Sequence, residues 1–381
     1  MTKRANGEGG IYQRESDGRW CAAVVHDDPV TGRRKRTVLY GKTRTEVKAK
    51  LKAATERIED GGPVKDATST VAAWVEQWRK TTLEASSRKQ STKTLYSTLA
   101  RKQLEPEPFS ALRLDKLRPT DIETLILTMR NDRKLADSTI RCTYTVLRSA
   151  LDAAVRDGLL AKNPAIVVPR PGVARTEAHY LSPADVAVLL DKAKTSRFWA
   201  PLALIAGTGL RRGEALALRW DDVDLEAGTL RVRGTLARIN GELVVTETNT
   251  QRSRRSIRLS PALVKLLTAH RKTQIGERLR AANQWTEGNF IFTTEAGQPM
   301  DPRNLLRALG SAADKAKFSG VSVHTLRHSA ASALLEVGIG LKTVSEMLGH
   351  SSVSITGDIY QHVSDNAAQE AANALSKAMG L

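Results

Sequence analysis

The chain has 381 residues, 41% of them hydrophobic, and a formal net charge of +18 from 59 Lys+Arg against 41 Asp+Glu. Such a length predicts two or three domains, and the basic excess suits a polyanion, because each neutralised phosphate releases counterions. No apolar run approaches the ~18 residues of a membrane span, Met1-Thr2-Lys3-Arg4 opens no apolar signal core, and the distant Cys21 and Cys142 exclude a disulfide framework.

Residues 1–62 are expected to form one unit. Strand-like stretches cover 10–13, 19–26 and 35–40, with Asp17-Gly18 and Thr31-Gly32 as turns. A helix follows, opened by a Thr43/Glu46 capping box. Val47, Leu51, Ala54 and Ile58 recur along it at helical spacing and should press it onto the sheet. Gly61-Gly62-Pro63 breaks the pattern and reads as a linker.

From 66 to 172 the pattern is helical, with helices expected over 71–80, 91–103, 120–131 and 138–157 and an extended connector over 168–172. From 173 to 381 helices surround a small sheet. Ser182-Pro183 caps a helix that reaches Lys194, and strands are expected over 224–231, 242–246, 256–259 and 289–292. A last helix over 365–379 carries Ala368, Ala371, Leu375 and Met379 on one face. The fold class is therefore multidomain, mainly α with small β-sheets.

Basic and hydroxyl groups occur in a fixed order through the last half. Arg211 lies in T-G-L-R-R-G-E, His324 and Arg327 in H-T-L-R-H, His350 in L-G-H-S-S and Tyr360 in D-I-Y-Q-H-V. Arg holds phosphate oxygens bidentately and stays charged. His shares a proton near neutral pH, and Tyr can bond covalently to phosphorus. Each residue also has a plainer reading. Arg211, after the flexible Gly207-Thr208-Gly209, fits equally a helix-start arginine paired on the surface with Glu214 one turn on. His-x-x-Arg recurs by chance, although on a helix both share a face at an end that favours anions. A His at a helix junction and an amphipathic Tyr are ordinary structural residues. The ordered set, more than any member, points to attack on a phosphodiester.

The stretches T-G-L-R-R-G-E-A-L-A-L-R-W-D-D-V-D, H-T-L-R-H-S-A-A-S and L-G-H-S-S-V-S-I-T-G-D-I-Y-Q-H-V resemble the tyrosine recombinase family, in particular its phage-type integrases. The resemblance implies an arm-type DNA-binding domain (N-terminal three-stranded sheet plus helix) over 1–62. It implies a helical core-binding domain over 66–172 and an α+β tyrosine recombinase catalytic domain over 173–381. The enzyme would cut and rejoin DNA through a 3′-phosphotyrosyl link, integrating or excising a phage or mobile element without cofactor or metal.

In that scheme Arg211, His324, Arg327 and His350 activate the phosphate, Glu214 orients Arg211, and Tyr360 is the nucleophile. Arg33, Arg34, Lys35 and Arg36, with Arg252 and Arg254, are expected DNA contacts, although such a charge run is ordinarily a solvated face. The implied partners are core-type and arm-type attachment sites in double-stranded DNA, three further copies in a homotetramer, a host DNA-bending protein and an excisionase. No membrane partner is expected, and the implied location is the bacterial cytoplasm or nucleoid.

One position departs from the family pattern. A Lys in a P-K-T-x-x-S-x-R hairpin usually protonates the leaving 5′ oxygen. Aligning Thr248-Asn249-Thr250-Gln251-Arg252-Ser253-Arg254-Arg255 with it puts Asn249 at that place. An amide is no acid, so weaker cleavage than with Lys is expected. A substituted form of the protein, a different pairing of the loop, or His350 covering the step would each account for the departure. Two rivals remain. A type IB topoisomerase is opposed by the arm-like segment. A non-cleaving DNA-binding regulator is favoured by Asn249 and opposed by the five other residues.

Overall fold

The computed structural model describes residues 10–27, 34–59, 69–174, 179–239, 241–247 and 254–349, together with 376 and 379. The chain divides into two compact units, Met1–Arg175 and Thr176–Leu381. Among the described residues no helix is long and apolar enough to cross a membrane.

In the first unit β1 (Tyr12–Gln13), β2 (Trp20–Asp27) and β3 (Arg34–Gly41) pair antiparallel in that order. Their register runs from Trp20↔Gly41 to Asp27↔Arg34. Gly18, left-handed at φ 66°, closes the turn after β1, as Asp17-Gly18 predicts. Of the four positions its spacing assigns to the sheet, helix α1 (Arg44–Glu59) buries Val47 and Ala54 and half-buries Leu51 and Ile58. Its start differs in detail from the expected box. Thr43 Oγ1 accepts the Glu46 N–H at 3.2 Å, but the Glu46 carboxylate reaches back to the N–H of Lys42 at 2.8 Å, one residue earlier.

The same unit holds α2 (Val71–Trp78), α3 (Gln90–Leu99), α4 (Pro119–Asn131) and α5 (Asp137–Arg156). Trp74, Trp78, Leu104, Ile140, Leu147 and Leu151 share one core. The Trp74 indole donates to the Ala150 carbonyl at 2.8 Å, so its buried polar edge is satisfied. Both expected helices over 71–80 and 91–103 end in a wider π turn, Arg79–Leu83 and Ala100–Leu104. An ion pair between Arg79 and Glu105 at 3.0 Å ties the two turns together. The connector over 168–172 is held down: Tyr144 Oη donates to Ala165 O and Val168 O, and Arg141 Nε donates to Pro171 O.

The second unit packs α6 (Pro183–Ala193), α7 (Trp199–Thr208) and α8 (Arg212–Ala217) beside a sheet and a hairpin. Strands β4 (Val223–Asp224) and β5 (Thr229–Val232) are followed by the hairpin β6 (Gly234–Ile239) and β7 (Glu242–Glu247), then β8 (Arg255–Arg258). The sheet order is β4-β5-β8. Helices α9 (Pro261–Ala281), α10 (Pro302–Lys315), α11 (Val323–Glu336) and α12 (Leu341–Leu348) complete the unit. Residues Ala200 to Ile205 of α7 are all buried, which makes α7 the central helix of this core.

Two expected strands are corrected. The stretch 224–231 is two short strands, because the Asp224 carboxylate accepts the N–H groups of Glu226 and Ala227 and Gly228 turns left-handed at φ 60°. The stretch 289–292 makes a single bridge, Arg219↔Phe290. Two of its carbonyls go to a side chain of α9, Gln274 Nε2 donating to Phe290 O and Ile291 O, both at 3.0 Å, while Asn289 O and Phe292 O accept the backbone N–H groups of Trp220 and Met300. Of the expected final helix, Ser376 and Met379 are described, and both are helical.

Candidate active site

Helix α7 ends at Gly209, which adopts a left-handed φ of 66°. The chain then turns through the buried Leu210 and restarts as α8, with Arg211 at the N-cap. Glu214, three residues on, accepts the Arg211 N–H at 3.0 Å and Arg211 Nη1 at 2.8 Å. The carboxylate is only 3% exposed, whereas Arg211 keeps 36% of its side chain open. Gly213 of R-R-G-E is required by packing. A Cβ there would stand 2.8 Å from Leu236 O and closer still to Thr235 Oγ1, because β6 crosses α8 at this point.

A reciprocal cap fixes the start of α11. Ser322 Oγ accepts the Thr325 N–H at 3.1 Å and Thr325 Oγ1 accepts the Ser322 N–H at 3.0 Å. His324 and Arg327 therefore stand on the first turn of this helix, but they differ in exposure. Arg327 is 4% exposed, while His324 keeps part of its surface open to solvent. Arg327 Nη1 donates to Gly209 O at 2.6 Å and Nη2 donates to Leu348 O at 2.8 Å, so one guanidinium bridges the C-terminal ends of α7 and α12.

Arg211 reaches the same place. Its Nη2 donates to Gly349 O at 3.0 Å, the carbonyl next to the one Arg327 holds. Gly349, left-handed at φ 68°, ends α12 as Gly209 ends α7. The glycines of T-G-L-R and L-G-H are thus the two helix stops around Arg327.

The electrostatics follow from these contacts. Burial raises the affinity of the Glu214 carboxyl for a proton. The hydrogen bond and charge of Arg255, then the N–H and charge of Arg211, outweigh it and hold Glu214 below the usual carboxylate range. Burial pushes the His324 imidazole down, and the charges of Arg327, Arg212 and Arg211 push it further, so its neutral form is favoured. His328 is the next residue along α11 after Arg327. It is half-buried, and burial and the charges of His324 and Arg327 lower it too.

Arg255, the closing Arg of the aligned hairpin pattern, is a site residue to which the sequence reading gives no role. It opens β8, its side chain is 7% exposed, and it pairs with Glu214 at 2.9 Å. A signal was present: Arg255 has the strand parity of the buried Ile257 and Leu259, so it points inward with them. A charge at an inward strand position implies a buried partner.

Arg34 and Arg36 are exposed on β3, and Lys35 lies between them in the strand. Arg254 is exposed just before β8. Arg33, Asn249, Arg252, His350 and Tyr360 lie outside the described residues. Arg211, Glu214, His324 and Arg327 are brought together.

The phage integrase family profile matches residues 179–367. A tyrosine recombinase XerC-like protein of Caldanaerobacter subterraneus is 30% identical, over 95% of this chain and 96% of its own length. An integrase of Saccharopolyspora erythraea is 26% identical over 98% of this chain and 97% of its own length. Among solved structures, the Tn1549 transposon integrase bound to transposon right-end DNA superposes with a TM-score of 0.66. It is 21% identical, over 81% of this chain and 99% of that one. A lambda integrase dimer on a core site gives a TM-score of 0.59 at 18% identity, over 94% of this chain and 96% of that one, a likeness of fold. With a relative this similar along nearly the whole length, the chain belongs to the tyrosine recombinase family of phage-type integrases.

Proposed function

We propose that this protein is a site-specific DNA recombinase that integrates or excises a mobile element through a covalent 3′-phosphotyrosyl intermediate. One observation carries the reading. Arg211 and Arg327, distant in sequence, hydrogen-bond the consecutive carbonyls of Gly349 and Leu348, so two guanidiniums lie side by side with His324 within reach of their charge. Two adjacent guanidiniums match the non-bridging oxygens of one phosphate and would neutralise the charge that grows on them in the transition state.

In this mechanism Tyr360 Oη attacks phosphorus, the 5′ oxygen leaves with a proton, and the strand stays joined to the protein through a 3′-phosphotyrosyl bond. His324 and His350 hydrogen-bond the phosphate and assist the proton transfers. The covalent link retains the energy of the phosphodiester, so a 5′ hydroxyl of the partner strand reverses the attack and no nucleotide is consumed.

Residues 1–62 would bind arm-type sites, with Arg33, Arg34, Lys35 and Arg36 on phosphates. Residues 66–172 would bind the core site, and 173–381, with Arg252 and Arg254, would carry the chemistry. A homotetramer on DNA, a host DNA-bending protein and an excisionase are the partners this reading calls for, in the bacterial cytoplasm.

The test is incubation with nicked duplexes of randomised core sequence. An SDS-stable protein–DNA adduct that Tyr360→Phe abolishes is the expected result. DNA binding with no adduct in either form would leave a non-cleaving regulator. Relaxation of supercoiled plasmid without any selected site would leave a topoisomerase.

A further inference from the structure

Three successive carbonyls at the end of α12 accept from three different guanidiniums. Met347 O takes Arg255 Nε at 2.7 Å, Leu348 O takes Arg327 Nη2 at 2.8 Å, and Gly349 O takes Arg211 Nη2 at 3.0 Å. The last carbonyls of a helix have no partner within it and carry its partial negative charge, which favours a row of cations there. Two of these arginines are the phosphate ligands of the mechanism above. The third has no part in it.

Arg255 also holds the far side of Glu214. Its Nη2 donates to Glu214 Oε2 at 2.9 Å and Nη1 to Oε1 at 3.3 Å. The same two oxygens accept the Arg211 N–H and Arg211 Nη1. Arg255 and Glu214 are 7% and 3% exposed, so the pair is a buried base, and Arg211, 36% exposed, is the arm standing on it. Gly349 leaves the room this needs: a Cβ on it would lie 2.8 Å from Arg255 Nη1.

We propose that Arg255 is a positioning residue for strand cleavage, one that orients Arg211 through Glu214 and the α12 carbonyls and touches no DNA itself. The proposal rests on the recombinase reading. Stability alone gives weak reason for the charge, because an apolar residue in place of a buried ion pair is often as stable or more so. The geometry gives a strong one. Three donors must leave one rigid plane toward Met347 O and the two Glu214 oxygens, which a guanidinium can do and an ammonium cannot.

The experiment compares Arg255→Lys and Arg255→Met with the unsubstituted protein in single-turnover cleavage and DNA binding. The DNA is a nicked duplex recovered as adduct from the randomised set. Arg255→Lys keeps the charge opposite Glu214 and carries the test if Arg255→Met does not fold. Its expected result is unchanged DNA affinity with cleavage slowed by roughly tenfold to a hundredfold, the scale of a ~1 Å misplacement.

A duplex with a neutral methylphosphonate at the scissile position separates positioning from structure. It lacks the charge that Arg211 neutralises, so the Arg255→Lys deficit should shrink on it. Cleavage at the unsubstituted rate, or an equal deficit on both duplexes, overturns the proposal alone. Absence of any adduct with the unsubstituted protein overturns the recombinase reading and this proposal with it.

Discussion

Gly209 and Leu348 end different helices, yet their carbonyls accept from one guanidinium, that of Arg327, at 2.6 and 2.8 Å. The two residues also touch, since a Cβ on Gly209 would collide with Leu348 Cδ2. Gly209→Ala therefore meets two penalties at once. The left-handed backbone at φ 66° costs an L residue roughly 1–2 kcal/mol. Pushing Leu348 aside adds about 1–3 kcal/mol of overpacking. Denaturant unfolding of the variant should show a loss of about 2–5 kcal/mol, split between strain and overpacking. A loss below about 0.5 kcal/mol, the scale of an ordinary surface change, would show that this junction is looser than the contacts imply.

Glu214→Gln is expected to be the more damaging change. It leaves Arg255, 7% exposed, without the carboxylate it faces. Removing one member of a buried pair costs about 3–5 kcal/mol. The pH dependence has a definite sign. Arg255 and Arg211 hold Glu214 below its unfolded value. Its contribution is therefore complete above the ordinary carboxylate range and is lost as pH falls through the folded value. Unfolding free energies of the two forms should differ most near neutrality and converge in acid. A constant difference across that range would assign the loss to packing instead.

How much of this was legible in the sequence depends on the range of the interaction. Local signals held: Ser182 caps α6, Asp17-Gly18 turns the first hairpin, and Arg211 pairs with Glu214 within one turn. Long-range ones did not. The 289–292 stretch looks like a strand because Phe290, Ile291 and Phe292 are apolar and buried, but Gln274, on the preceding helix α9, takes two of its carbonyls. Strand β6 was missed because its buried residues, Leu236 and Ile239, are three apart and give no alternation. The surface ion pair that Arg211 and Glu214 suggested became a three-charge cluster on a buried base only when β8 supplied Arg255.

His324 should titrate below an ordinary histidine. Burial is the largest cause, followed by the charges of Arg327, Arg212 and Arg211. Arg212 makes a clean probe because it is only half-buried and has no assigned part in the chemistry. Arg212→Gln removes one cation and leaves burial intact, so the His324 value should rise part of the way back. An NMR titration of the His324 ring protons reads this directly. No change, or a fall, would mean that the Arg212 charge does not hold the ring down.

Asn249→Lys tests the departure from the family pattern. An amide cannot release a proton, so with Asn249 the 5′ oxygen must draw its proton from water or from another group. A lysine there would supply a general acid, a role typically worth ~10²–10⁴-fold. Single-turnover cleavage of the nicked duplex should accelerate by at least about tenfold, with DNA affinity changed little, since one added cation contributes a single counterion's worth of binding. The gain should also require Tyr360, so that Asn249→Lys with Tyr360→Phe forms no adduct. An unchanged rate in the single variant would mean that proton delivery does not limit cleavage here, and that another group, His350 by sequence order, already performs it.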